Sequence, residues 1–398
     1  MATFRLSHFS SPEIIKAIDR ERLVAFLDPH RAFFTARGVA LPPPGSGREP
    51  DYDALVRVFM SPDENTPKEL IDALYYVDGM STAKGMEDLI DAAREARLNL
   101  DAADDVTPAD LAVQVWLRDP ELLERKQAEQ YLLNPKSFEH YLTDDPEAGP
   151  FKPPKAETHR RLEDVLNDWF EHRKRGRTAR VFVFARDDAV WFLVRHGEPY
   201  KREGSVVGVE PSSVAYRPLK YDVLVYTPDL KELRINAQLK GERQLYRSEF
   251  GRHFFDGLNY FNIGVKYTLE PLREVGEPSL ACTDVAGMEW VRLKELHYNW
   301  GGAHGEYEIA KANDLFAAMK VRGGRTIPKT PALAKAVFLV KFAAAKRART
   351  VTIKPPNTAL YARDEDSDLV EQWLKQRGFL NVYVDADDPA LDPLLASA

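Results

Sequence analysis

The apolar positions of this chain keep two different periods. Up to about residue 145 they recur at helical spacing, as in Leu70, Leu74 and Val77, or Leu111, Val115 and Trp116. Three helix starts in this part share one chemistry. Ser11-Pro12, Thr66-Pro67 and Thr107-Pro108 each offer a hydroxyl at the N-cap and a proline at the first helical position. Thr66 with Glu69 has the spacing of a capping box, which satisfies two backbone donors reciprocally. TPKEL at Thr66–Leu70 and TPADL at Thr107–Leu111 suggest a repeated helical hairpin, although two copies are too few for a solenoid.

A Pro-, Gly- and acid-rich stretch, Thr143–Pro154, reads as a linker, and a basic amphipathic helix over about Glu157–Lys174 follows it, with Leu162, Val165, Leu166 and Trp169 as its apolar stripe. The period then changes to two. Arg180–Arg186 and Ala189–Arg195 read as strands joined at Asp187-Asp188, and Lys220–Tyr226 with Glu232–Leu239 reads as a second hairpin. A helix over about Glu242–Phe255 follows, then strands near Gly264–Leu269 and Met288–Leu293, and a helix over about Tyr307–Met319. Lys335–Phe342 and Arg349–Lys354 form a third hairpin, with a helix Ser367–Gln376 and a strand Leu380–Val384 after it. The fold class is therefore α+β. The expected parts are an acidic helical domain (1–145), a linker (146–157), a central, mainly antiparallel β domain with helices (158–303), and a small C-terminal α/β module with a basic β-hairpin (304–398).

Composition adds limits. With 44% hydrophobic and 29% charged residues the chain is of ordinary globular type, long enough for two or three domains. Its one cysteine, Cys282, allows no internal disulfide and no cysteine-built zinc site. Met1–Ser10 has no signal-peptide pattern and no apolar run could span a bilayer, so the expectation is a cytoplasmic protein without a membrane partner. Charge is divided: residues 1–150 carry −12 and residues 151–398 carry +5, which together give the chain's −7. Such a split suits parts that face different partners, including a protein partner for the acidic helical domain.

The basic excess is concentrated. Between Lys320 and Lys354 stand ten Lys or Arg residues and no acid: Lys320, Arg322, Arg325, Lys329, Lys335, Lys341, Lys346, Arg347, Arg349 and Lys354. A cationic field of this kind attracts polyanions, and a β-hairpin with a cationic tip can enter a nucleic-acid groove. The leading expectation is a protein that binds DNA or RNA through the phosphate backbone, using Arg322, Arg325, Lys329, Lys341, Lys346, Arg347, Arg349 and Lys354. A second cluster, Arg173, Lys174, Arg175, Arg177 and Arg180, ends the linker helix, where cations also complement the helix dipole.

Two stretches carry possible catalysis. Asp222 opens one strand of the second hairpin and Gln238-Leu239-Lys240 closes the next, which resembles the restriction-type nuclease pattern of Asp followed by (Glu or Gln)-x-Lys. That resemblance implies Asp222 as ligand to Mg²⁺ or Mn²⁺, Gln238 as a second oxygen ligand, and Lys240 steadying the attacking water. Val194–Glu198 (VRHGE) resembles the signature of the histidine phosphatase and phosphoglycerate mutase superfamily. There the implied roles are phosphorylation of His196 and phosphate binding by Arg195, with His304 as the second histidine. No HExxH pair and no Gly-x-Ser-x-Gly elbow occurs. Four readings of function are thus open: a nucleic-acid binder, a metal-dependent nuclease, a protein–protein adaptor, and a histidine-phosphatase-like phosphohydrolase.

Overall fold

A computed structural model describes residues 6–381, except 64, 102–105, 134, 144–150, 152–154, 187, 256, 258 and 363–365. It is a mixed α+β structure that divides into two compact units, Met1–Tyr131 with Arg202–Val214, and Leu132–Lys201 with Ala215–Ala398.

The first unit is helical: α1 (Pro12–Lys16), α2 (Arg20–Leu27), α3 (Arg31–Ala36), α4 (Tyr52–Phe59), α5 (Lys68–Met80), α6 (Ala83–Glu95), α7 (Pro108–Arg118) and α8 (Pro120–Glu129). Apolar faces of these helices meet in one core that includes Phe9, Phe34, Leu55, Val77, Leu89 and Leu111. Thr107 starts α7 as expected, accepting from the Asp110 N–H, and Thr82 caps α6 through the Gly85 N–H at 2.9 Å. Thr66 does not cap α5. Pro67 holds the N-cap position, and the Thr66 hydroxyl closes a turn with Asp63 instead. Buried Asp78 accepts from the backbone N–H groups of Ser7, His8 and Phe9, each at 2.8 Å, and so pins the N-terminal segment.

The second unit is built on one antiparallel sheet. Its strands are β1 (Ser137–Leu142), β2 (Arg180–Arg186), β3 (Ala189–Gly197), β6 (Leu219–Thr227), β7 (Glu232–Asn236), β8 (Met288–Gly301), β9 (Glu306–Lys311), β10 (Ala332–Phe342), β11 (Arg349–Lys354) and β12 (Thr358–Leu360). They lie in the order β2-β3-β6-β7-β1-β12-β11-β10-β8-β9. A separate two-stranded ribbon, β4 (Lys201–Val207) with β5 (Glu210–Tyr216), leaves the chain between β3 and β6. The helices are α9 (Ala156–His172), α10 (Lys240–Phe255), α11 (Glu270–Glu274), α12 (Leu315–Val321) and α13 (Ser367–Gln376).

Side chains alternate across a strand, so the ladder registers assign every position to a face. On the front face of β2, β3, β6, β7 and β1, residues such as Val181, Phe192, Leu224, Ile235 and Tyr141 pack under α9 and α10. In the other half the core lies on the back. Leu293, Ala336, Phe338, Val340, Ile353 and Ala359 pack there with Leu272 of α11, Leu315 of α12 and Trp373 of α13. Phe338 is fully buried against Trp373 and Phe379; truncation of such a ring costs about 3–5 kcal/mol. The helices thus change sides half-way across the sheet. Among the described residues they leave the front of β8–β12 without a helix of this unit.

Several elements differ from expectation. The helix expected over Tyr307–Met319 is the edge strand β9 followed by the short α12, because Tyr307, Ile309 and Lys311 pair along β8 and Asp314 caps a new start. Gly264–Leu269 forms no strand; Tyr267 makes a single bridge to Leu380. The strand expected to reach Leu239 stops at Asn236, since the Glu242 carboxylate accepts from the Leu239 N–H at 2.8 Å and turns the chain into α10. The expected boundary between 303 and 304 falls in the β8–β9 turn, and strands from both sides of it share one sheet. Residues 382–384 of the expected final strand, most of the expected linker and Asp187 lie outside the described residues.

Candidate functional site

The ten cations of the basic segment do not form one face. Lys346 and Arg347 are exposed at the β10–β11 tip, whereas Arg322, Arg325 and Lys329 are exposed in the loop that enters the far end of β10. At about 3.4 Å per residue, eleven-residue β10 keeps these ends roughly 35 Å apart. Arg349 lies on the back, pairing with Asp366 at 3.0 Å. Lys320 pairs with Glu277. The expected hairpin of β10 and β11 forms, with Lys346 and Arg347 at its tip, but the ten cations are dispersed rather than gathered on one face.

Alternation gathers a different set. The front of β8–β12 carries Trp290 and Arg292 from β8, Lys311 from β9, Lys335 and Lys341 from β10, and Thr350 and Lys354 from β11. Arg292 lies 4.4 Å over the Trp290 ring. Tyr307 on the same side of β9 is half exposed and bonds His297 Nδ1 at 3.0 Å. Nearby acids hold four of the cations: Arg292 with Asp314 at 3.8 Å, Lys311 with Glu295 at 2.7 Å, Lys335 with Glu295 at 3.9 Å, and Lys341 with Glu289 at 3.2 Å. Lys311 above all, with His297 and Lys335 behind it, holds the Glu295 carboxyl below its ordinary range against the opposing effect of burial. Pairs of this exposed kind are worth about 0–1 kcal/mol each, so an incoming phosphate can exchange with them. Five cations face three acids here.

Where the open front meets the helix-covered front lies a polar cavity of about 410 Å³. Its lining includes Glu139, Lys220, Asp222, Gln238, Arg243, Lys354 and Thr358. Asp222 and Gln238 share this cavity, but Lys240 does not line it and is exposed in the first turn of α10. The lysine beside Asp222 is Lys220, two positions earlier on the same strand face.

Asp222 continues into a buried network that the sequence does not announce. Its Oδ2 accepts from the Tyr246 hydroxyl at 2.8 Å and lies 3.0 Å from His196 Nε2; its Oδ1 lies 3.5 Å from Lys220 Nζ. Glu242, fully buried, takes Arg175 at 2.6 Å on one oxygen and the Leu239 N–H on the other, with Lys220 at 3.4 Å from both. Phe170 of α9 stacks on the His196 ring at 4.2 Å. Two carboxylates thus face two cations, Lys220 and Arg175, in a charge-balanced cluster. Burial, with Asp222 close by, pushes the Tyr246 hydroxyl well above its ordinary range.

His196, Asp222 and Glu242 place ligand atoms within 4.8 Å of one another, a spacing that would suit a divalent cation. The test is whether their lone pairs are open. All four carboxylate oxygens already face donors, and Lys220 occupies the position of the positive charge. The cluster as built does not fit a metal ion unless Lys220 withdraws. His196 faces Asp222 and the Gly197 carbonyl, while His304 lies exposed in the β8–β9 turn, so these two histidines are not brought together. Arg195 points to the back, over Phe182.

A second buried group lies on the back, where Glu232 meets His140 at 3.1 Å, Lys266 and Arg234. Burial would raise this carboxyl, yet the surrounding charges of His140, Lys266 and Arg234 hold it far below the ordinary range.

No protein-family model matches the chain, and no curated protein matches it. Among the described residues no helix is long and apolar enough to cross a membrane.

Proposed function

We propose that the protein binds nucleic acid, with a strand laid across the open front of β8–β12. The observation that carries this reading is the half-face that no helix of this unit covers among the described residues: five cations, the hydroxyls of Thr350 and Thr358 and two aromatic rings lie on an antiparallel sheet whose other side is core. The phosphate backbone supplies most of the affinity in such contacts. Tyr307, half exposed, and the half-buried Trp290 beneath Arg292 favour unpaired bases, since single-strand recognition on sheets uses stacking on aromatic rings and on the guanidinium planes of arginine. Arg322, Arg325, Lys329, Lys346 and Arg347 belong to this reading as peripheral phosphate contacts at the two ends of β10.

The test is binding of a labelled single-stranded oligonucleotide followed by fluorescence anisotropy. Replacing Lys335, Lys341 and Lys354 together by Glu is expected to weaken binding on the order of a hundredfold, at about 1–3 kcal/mol for each charged contact with incomplete additivity. Replacing Lys346 and Arg347 by Glu is expected to weaken it by less than about tenfold. A folded triple variant that binds as tightly as the parent overturns the proposal.

A further inference from the structure

The polar cavity at the edge of the open front has a chemistry of its own. Three cations, Lys220, Arg243 and Lys354, line it with two acids, Glu139 and Asp222. Both acids are already engaged from within the fold: Arg243 Nε lies 2.8 Å from Glu139, and Asp222 is held as described above. Lys354 is exposed and none of the ion pairs among the described residues involves it, so its charge is the one left to a ligand. Around it stand the Ser137 and Thr358 hydroxyls, on the front by register, and the Gln238 side chain two residues before the start of α10. Ile235 and Ala237 are its apolar lining residues, and Tyr221, which also lines it, stands at a register position of the back face. A cavity of about 410 Å³ with this lining suits a compact, hydrophilic anion rather than a base or an apolar group.

Its position decides which anion. Lys354 belongs both to the cavity and to the open front, and Thr358 joins the two through the Lys354–Thr358 and Thr358–Glu139 pairs. A strand on the front that ran toward β1 would meet α10, which covers the sheet beyond, and its last phosphate would reach the cavity. We propose that this cavity seats a terminal phosphomonoester, so that the protein prefers strands with a phosphorylated end. A terminal phosphomonoester carries about −1.5 to −2 charges, against one for a phosphate inside the chain, and accepts more hydrogen bonds. The inference rests on the function proposed above.

The experiment compares the same single-stranded oligonucleotide with a 5′-phosphate, a 3′-phosphate, or hydroxyls at both ends. One phosphorylated form is expected to bind about tenfold more tightly than the hydroxyl form, the gain of one charge-assisted contact. Which form gains tells the polarity of the bound strand. Lys354→Gln is expected to remove the preference. Lys335→Glu, away from the cavity, is expected to weaken all three forms together and keep it. Equal affinity for all three forms, or a preference that survives Lys354→Gln, overturns the cavity assignment and leaves the nucleic-acid reading standing. Failure of every form to bind overturns that reading and the assignment with it.

Discussion

At the scale of single residues, the centre of the second unit turns on which charges have partners. Asp222 and His196 each stand in a sequence stretch with a catalytic look, yet the ladder pairs Val194 with Asp222 and His196 with Lys220, and α10 brings Glu242 on top. Local patterns carry no information on such register, so Lys220, Glu242 and Arg175 were invisible as partners. Lys240, the lysine the local pattern favours, faces solvent. This predicts opposite outcomes for two substitutions. Glu242→Gln leaves Arg175 and Lys220 short of a carboxylate in a buried site and should lower stability by about 3–5 kcal/mol. Lys240→Ala should change it by no more than about 0.5 kcal/mol. Urea unfolding at neutral pH measures both, and comparable losses would show that the buried network is not what holds this region.

At the scale of elements, legibility followed how local each determinant is. The hairpin β2–β3 and helix α13 were read from their own residues, because period, turn and stop signals are all contained in them. Tyr307–Met319 carries apolar positions that satisfy a helical period, while the β8 edge that makes β9 a strand lies elsewhere in the chain. Helix starts show the same contrast. Thr107 caps as its motif suggests, but Thr66 is drawn to Asp63, and the best-placed hydroxyl in that part of the chain, Thr82, has no proline beside it to advertise it. Thr82→Ala should therefore destabilise the helical unit by about 1 kcal/mol, within the 0.5–2 range for lost N-caps. The loss should appear in the far-ultraviolet circular dichroism transition and be largely restored by Thr82→Ser, which keeps the hydroxyl.

At the scale of the whole molecule, the α+β class was legible, whereas the continuity of the sheet was not. Its closure depends on β1 meeting β12 through Ser137–Leu360 and Phe138–Ala359, positions more than two hundred residues apart, and on β8 meeting β10 across an expected boundary. That closure also converts a basic stretch of sequence into a basic half-face, selecting Lys335, Lys341 and Lys354 by alternation and adding Arg292 and Lys311 from outside the stretch. The consequence is measurable because the chain as a whole is acidic, at −7. Binding to nucleic acid must then be local, opposed by the long-range field and supported by a few contacts. If the five front cations each neutralise one phosphate of a single strand, the logarithm of affinity should fall with the logarithm of salt at a slope of about −3.5, roughly a hundredfold loss between 50 and 200 mM. Screening of the acidic residues works the other way and makes the observed slope shallower. Reversing Lys335, Lys341 and Lys354 leaves Arg292 and Lys311 and should bring the slope to about −1.4 or shallower, while reversing Lys346 and Arg347 should alter it by no more than the contacts they make at the tip. A slope that stays steep in the triple variant would place the phosphates elsewhere on the molecule.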